Sequence, residues 1–272
     1  MMKNSFLSGV ITKRANWFGF VLAILVILLA IGGDLVTPYD PLAVDTSIRF
    51  QSPSASHWMG TDNLGRDVAS RVIAGTRLAI QSCLIILISS ICIGLLIGLI
   101  SGYYGGIVDE IMMRISDIFI AFPGLVLALA IAAALGPNLN NAMIAISVVW
   151  WPPYARLIRG QVLSIKEREF IQSARGLGGG DFWIISQHII PNILLPLVIQ
   201  ITSDIGPALV TTSSLSFIGM GAQPPTPEWG SMVSLGRKYL LDYWWLSTFP
   251  GLAIFITVLI FNNIGESVRK SL

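Results

Sequence analysis

The sequence predicts an all-α integral membrane protein of six transmembrane helices with both termini in the cytoplasm, and three observations predict it. Hydrophobic residues make up 54% of the 272-residue chain and charged residues 12%, about half the share that a soluble domain carries. Six stretches approach the ~20 mostly apolar residues needed to cross a hydrocarbon core. With the N-terminus inside, eleven of the 17 Lys and Arg fall on the cytoplasmic side and six outside or at the outer boundary, in the sense of the positive-inside rule. The formal charge of +2, without any Lys/Arg-rich block, gives no reason to look for nucleic acid.

The first stretch, 17–36, follows Lys3, Lys13 and Arg14 and leads to Asp34, Pro38 and Pro41 rather than to a small-residue cleavage site. It reads as a retained anchor helix, not a removed leader. The second, 78–103, carries no charge, and Gly94, Gly98, Gly102 and Gly106 recur every four residues after Ser90. Small residues at that spacing let helix backbones approach, within this bundle or along a seam with a second subunit. The third, 115–135, contains Asp117, expected to pair with Arg114 on one helical face near the cytoplasmic boundary. The fourth, 139–155, ends at Pro152-Pro153, where a break or kink is expected. The fifth, 193–218, contains Asp204, for which no partner close in sequence is expected. An ionisable residue there lines a translocation path or makes an interhelical hydrogen bond. The sixth, 243–264, is uncharged. Trp150-Trp151 and Trp244-Trp245 fall near span ends, as an interfacial aromatic belt would.

Two connections are long: 37–77 outside and 156–192 inside. In the inner one, Phe170, Ala174 and Leu177 recur at i, i+4 and i+7 among Lys166, Arg168, Glu169 and Arg175. This predicts a short amphipathic helix whose apolar face needs a partner. Gly178, Gly179 and Gly180 then end it, Asp181 is expected to cap a helix over 182–190, and Pro191 and Pro196 punctuate the start of the fifth span. A charge at Ala174 is expected to spoil docking of that face.

The inner loop resembles the E-A-A, three residues, G, nine residues, I-x-L-P pattern of permease subunits in ABC importers, with Gln172-Ser173-Ala174, Gly178 and His188-Ile189-Ile190-Pro191 at those spacings. Two more segments resemble the dipeptide, oligopeptide and nickel permeases of that family. Gly60-Thr61-Asp62-Asn63-Leu64-Gly65-Arg66-Asp67 is similar to their G-T-D-x-x-G-R-D. Leu215-Ser216-Phe217-Ile218-Gly219-Met220-Gly221, followed by Pro224 to Gly230, is similar to L-S-F-L-G-L-G with P-P-x-P-x-W-G. With Asp117 to Pro123 these cover most of the chain, and the single span before them resembles the "C" permease of such systems. The resemblance implies a type I importer permease fold. It divides the chain into an anchor and outer loop (1–75), a permease domain (76–265) with a coupling loop at about 160–191, and a cytoplasmic tail (266–272).

It also implies roles for residues. Glu169, Phe170, Gln172, Ser173, Ala174, Arg175, Leu177, Gly178 and Pro191 would form the loop that seats in a cytoplasmic ATPase. Apart from the resemblance, the intramembrane charge makes Asp204 the candidate on the solute path, and the four-residue spacing makes Gly94, Gly98 and Gly102 packing positions. A second homologous permease, two ATPase subunits and an extracytoplasmic binding protein are the implied partners, in the inner membrane of a prokaryote. No cofactor is expected on this chain, ATP and Mg being held by the ATPases. The chain has no G-x-x-x-x-G-K-[ST] loop of its own. The resemblance implies inward passage of di- and oligopeptides, with a nickel ion or metal chelate as the alternative solute, since Thr212 stands where the peptide permeases often have Glu.

Other classes fit less well. A secondary transporter or channel predicts paired broken helices or inverted repeats, and a membrane enzyme predicts a motif such as H-E-x-x-H or G-x-S-x-G, neither of which occurs. Cys83 and Cys92 are nine residues apart, about 900° around a helix, and face opposite sides. His57 and His188 fall on opposite faces of the membrane, so no metal site is expected from them.

Overall fold

The computed structural model describes residues 14–270; Lys3 and Lys13, used above for orientation, lie outside that range. The chain is helical: α1 (Arg14–Val36), α2 (Val68–Tyr104), α3 (Gly106–Ala121), α4 (Gly124–Leu135), α5 (Leu139–Lys166), α6 (Glu169–Gly176), α7 (Asp181–Ile218), α8 (Trp229–Gly236) and α9 (Trp245–Lys270). Among the described residues, α2, α7 and α9 are each long and apolar enough to cross a bilayer, and α1 contains a shorter apolar stretch, Gly19–Gly33. Helices α2, α5, α7 and α9 meet in one buried cluster, with Leu87, Tyr154, Ile158, Leu209 and Trp245 in it. Helix α1 packs Ala23 and Val26 against Ile260 and Phe261 of α9.

Several expectations need correction. The third stretch is not one span: α3 and α4 meet at 91° across Phe122-Pro123, because Pro123 lacks the N–H that a continuous helix requires and disfavours helical geometry in the residue before it. Pro152-Pro153 do not end the fourth helix, since α5 runs on to Lys166. The fifth helix does not start at 193. Its helix begins at Asp181, and a π-helical turn at Ile185–Ile189 absorbs the missing donor of Pro191. Asp181 is not the cap residue but sits in the first turn after Gly180. Helices α2 and α9 run on without a break through 75/76 and 265/266, which neither supports nor removes those division points. Of the tryptophans assigned to an interfacial belt, Trp151 and Trp245 are buried in protein, and the Trp245 indole donates to the Thr61 carbonyl at 3.2 Å.

Before α2 the chain folds into a cap, and the segment 60–71 builds it. Asp62 accepts from the backbone N–H of Leu64 and Arg66, and its other oxygen takes the Arg66 Nε at 2.7 Å. Asp67 caps α2 by accepting from the Ser70 N–H and hydroxyl, each at 2.7 Å, and meets His57 Nδ1 at 2.9 Å. Arg71, 2% exposed, donates to the carbonyls of Pro41 and Pro225. It thereby ties the first outer connection to the one before α8. The Trp229 indole donates to the Val72 carbonyl at 2.9 Å. The outer motifs are therefore a single buried lattice of charge and backbone.

Glu228 caps α8 in this lattice, accepting from Gly230 and Ser231 N–H at 3.0 and 2.8 Å. Burial pushes its carboxyl above the ordinary value of 4.5, with those hydrogen bonds opposing. The sign follows from linkage: a raised folded-state pKa makes the ionised form a cost, which is relieved as pH falls through the folded value toward 4.5. Relative to Glu228→Gln, which does not titrate, the wild type should gain melting temperature as pH is lowered into that window. Parallel melting curves of the purified protein would reverse the assignment.

Candidate functional site

Two regions carry chemistry that packing alone does not require, and α2 separates them from the outer cap. Its 37 residues span about 55 Å at the α-helical rise of ~1.5 Å per residue. The cap is built on the Val68 end, and the inner loop meets the Tyr103 end. The Tyr103 hydroxyl donates to Asp181 at 2.6 Å, and the Arg175 guanidinium lies over the Tyr103 ring, 5.2 Å from its centroid. The inner loop therefore rides on the end of α2 rather than hanging free.

Within that loop, Arg168 precedes α6, Glu169 occupies its first turn and Arg175 its last, which suits the helix dipole. Gln172 donates from its side chain to the Glu167 carbonyl at 3.2 Å, and Ser173 is exposed. Gly178 has φ +86, a left-handed conformation open to glycine, and from there the Gly179 N–H returns to the Ala174 carbonyl at 3.0 Å. Pro191 lies in the first turn after the π-helical segment. His188 packs between the Trp183 and Phe170 rings, at 4.6 and 6.2 Å.

The apolar face of α6 differs from the expected one. Ile171 and Ala174 are buried, at 0% and 7% exposure, in a cluster with Ile165, Ile184 and Ile189 of the flanking helices. Phe170 is 40% exposed, Leu177 90% and Phe182 85%. The loop folds back on its own flanks and uses Ile171 and Ala174 to do so. The surface left for a partner is the exposed trio with its polar neighbours. A charge at Ala174 would unfold the loop from inside, and Leu177 is the position that tests docking.

The second region is a groove of about 470 Å³ facing the α3–α4 bend, where Phe119, Phe122, Trp150, Tyr154, Gln200 and Asp204 are among the lining residues. Asp204 accepts from the Tyr154 hydroxyl at 2.6 Å and from the Gln200 amide at 3.0 and 3.1 Å. Its expected lack of a partner close in sequence is thus overturned: Gln200 is four residues earlier on the same helix face. Asp117 pairs with Arg156 of α5, while Arg114 sits 3.7 Å from Glu110 instead. Arg159 of α5 holds Asp109, which also accepts from Ser101. Non-helical backbone at membrane depth survives only where protein or water satisfies it, and the bend lines this groove. Sequence reasoning missed Tyr154 and Gln200. The i−4 spacing of Gln200 was readable, whereas the approach of Tyr154 from another helix was not.

Gly94, Gly98 and Gly102 face α5. A Cβ at each would lie 2.6 Å from Tyr154 Cβ, 2.6 Å from the Ala155 carbonyl oxygen and 2.8 Å from Val162 Cβ. Cys83 is buried and Cys92 exposed, both as free thiols. Among the described residues no group of three or more His, Cys, Asp or Glu converges.

Residues 94–272 match the family described as binding-protein-dependent transport system inner membrane component. The chain is 45% identical to a probable D,D-dipeptide transport system permease protein of Escherichia coli K12, over 93% of this chain and 85% of that one. It is 42% identical to a dipeptide transport system permease protein of Alkalihalophilus pseudofirmus, over 93% and 84%. To a glutathione transport system permease protein of Pectobacterium atrosepticum it is 40% identical, over 92% and 83%. Among solved structures, inward-facing MetNI methionine ABC transporter superposes with TM-score 0.59 at 19% identity, over 74% of this chain and 96% of that one; this likeness concerns the fold.

Proposed function

The chain belongs to the inner membrane components of binding-protein-dependent transport systems, and on that premise we propose that it is one of two different permeases that together pass peptides into the cell. It is a permease subunit and not an enzyme, and it works with ATPase and substrate-binding subunits. The second, homologous permease beside it and the pair of ATPases beneath it belong to the proposal, as does the placing of ATP and magnesium on those ATPases. The observation that carries the reading is the pairing, in one chain, of an exposed loop surface around Leu177 with a mostly apolar groove that holds Asp204 and Gln200 at a broken helix. A docking surface at one end and a solute-sized groove inside are what an externally driven permease needs. The peptide solute is supported by the relatives' names, two of which specify dipeptides and one glutathione.

The test is uptake and ATP hydrolysis by the complex in liposomes with its binding protein, against di- and oligopeptides, nickel and nickel chelates. Stimulation by peptides supports the reading, and stimulation by nickel species alone replaces it with the metal reading. Leu177→Asp probes the loop in the same assay. A carboxylate desolvated at a docking surface without a partner costs several kcal/mol, and each ~1.4 kcal/mol is about tenfold in affinity. Peptide-stimulated hydrolysis should therefore drop at least about tenfold, while the permease still inserts and melts normally, because Leu177 touches little of its own chain. Full coupling in Leu177→Asp would remove the loop from the docking surface.

A further inference from the structure

The groove at the α3–α4 bend holds a carboxylate, Asp204, that among the described residues pairs with no cation. The described hydrogen-bond partners of Asp204 are neutral, the Tyr154 phenol and the Gln200 amide. Asp117 and Asp109, by contrast, face Arg156 and Arg159. An uncompensated charge within a span is costly and marks function. Two neutral donors hold the Asp204 carboxylate in place without filling it. A carboxylate offers about four lone-pair sites, and Oδ1 receives only the Gln200 amide.

The walls sharpen the chemistry. Phe119, Phe122, Trp150 and Tyr154 line the same groove. Aromatic faces are negative and attract cations. The groove thus combines one negative charge with apolar, π-rich walls. An anionic group is repelled there. A bare divalent cation would find Asp204 as the one carboxyl among the lining residues and would need several more oxygens. An alkylammonium fits on every count: its three N–H donors reach the carboxylate, and its carbon side lies against rings. Because Asp204 already accepts from Tyr154 and Gln200, the contact is weak enough to release, as conduction through a site requires.

We propose that Asp204 is a specificity-determining residue of the translocation groove, and that it receives the ammonium group at the N-terminus of a peptide as the solute passes. This rests on the importer reading above. The test uses the reconstituted complex with its binding protein, and compares uptake of alanyl-alanine with uptake of lactoyl-alanine, which has a hydroxyl where the ammonium stood. Each rate is normalised to the fraction of binding protein loaded, so the binding protein's own preference cancels between variants.

In the wild type the ratio should favour alanyl-alanine. In Asp204→Asn it should fall about tenfold, the loss expected for one charge-assisted contact worth ~1.4 kcal/mol. Asp204→Glu, which restores the charge, should recover part of it. A structural brace would slow both solutes alike and leave the ratio unchanged, and that result overturns the proposal. If lactoyl-alanine is not taken up by any variant, alanyl-alanine decides alone: recovery in Asp204→Glu supports the assignment, and equal losses in Asn and Glu overturn it. A wild-type complex that takes up no peptide at all defeats the importer reading itself, and this outcome is separate from any effect of the variants.

Discussion

Gly65→Ala is expected to abolish recovery of the folded permease. Gly65 has φ +74, and a Cβ placed there would lie 1.7 Å from the Asp45 carbonyl oxygen and 2.6 Å from its carbon. The left-handed conformation alone costs an alanine about 1–2 kcal/mol. The clash adds more, because the Asp45 N–H donates to the Leu64 carbonyl at 3.1 Å and so pins the two segments together. Relief requires the 45–50 stretch to move away or the turn to open. Opening it displaces Asp62, the partner of Arg66 and the nearest carboxylate to Arg71, whose side chains are 4% and 2% exposed. Buried guanidinium groups left without their carboxylate cost about 3–5 kcal/mol, against a total stability of roughly 5–15 kcal/mol. Gly219→Ala supplies the comparison: φ is +97 there with ψ 7, a left-handed backbone, but nothing lies within 4 Å of the new Cβ. It should lower the melting temperature by only the conformational amount. The measurement is monodisperse yield and melting temperature in detergent. Equal behaviour of the two variants would show that the outer segment yields easily, and its buried charges would then not organise the cap.

How far the sequence carried depended on which physical signal each feature left. The apolar stretches are long-range averages, so their existence survives small errors, although α2 begins ten residues before the expected 78 and α9 runs six residues past the expected 264. Pro152-Pro153 and Pro123 are the same residue type in an apolar helix, yet α5 continues and α3 stops. Sequence alone does not separate the two cases. Whether a neighbour lets the helix continue is a tertiary matter, and Gly94 of α2 lies closely against the Trp151–Ala155 backbone here. In the inner loop the helix and its glycine stop were legible. Which apolar row turned inward was not, because Ile171 and Phe170 are adjacent and both patterns are helical. The partners of Asp117 and Asp204 divide in the same way. Gln200 sits at a readable i−4, whereas Arg156 and Tyr154 arrive from α5 and leave no local trace. The outer G-T-D-x-x-G-R-D segment was recognised by resemblance, but its physical content emerged only from the fold: two left-handed glycines and a carboxylate that serves backbone and arginine together.

Gly98→Ala should lower melting temperature and transport together, through one displaced helix. Lipid tails are as apolar as leucine, so spans gain little by hiding apolar surface from lipid, and close backbone approach supplies the cohesion. At Gly98 the new Cβ would lie 2.6 Å from the Ala155 carbonyl oxygen and 2.8 Å from Ile158 Cβ. A backbone oxygen cannot rotate away, so α5 must shift as a unit, at about 1–3 kcal/mol for overpacking. That shift reaches both functional regions. Helix α5 carries Tyr154, which holds Asp204, and Arg156, which pairs with Asp117; its last turn at Lys166 leads directly into α6. Gly160→Ala, on α5 itself, has nothing within 4 Å of the added methyl. It should instead stabilise the helix, by up to about 1 kcal/mol. Opposite signs at two glycines would place the constraint in the α2–α5 contact rather than in glycine content. If Gly98→Ala melts with the wild type and still transports, α5 has room to move, and the groove and the coupling loop are not held in register through it.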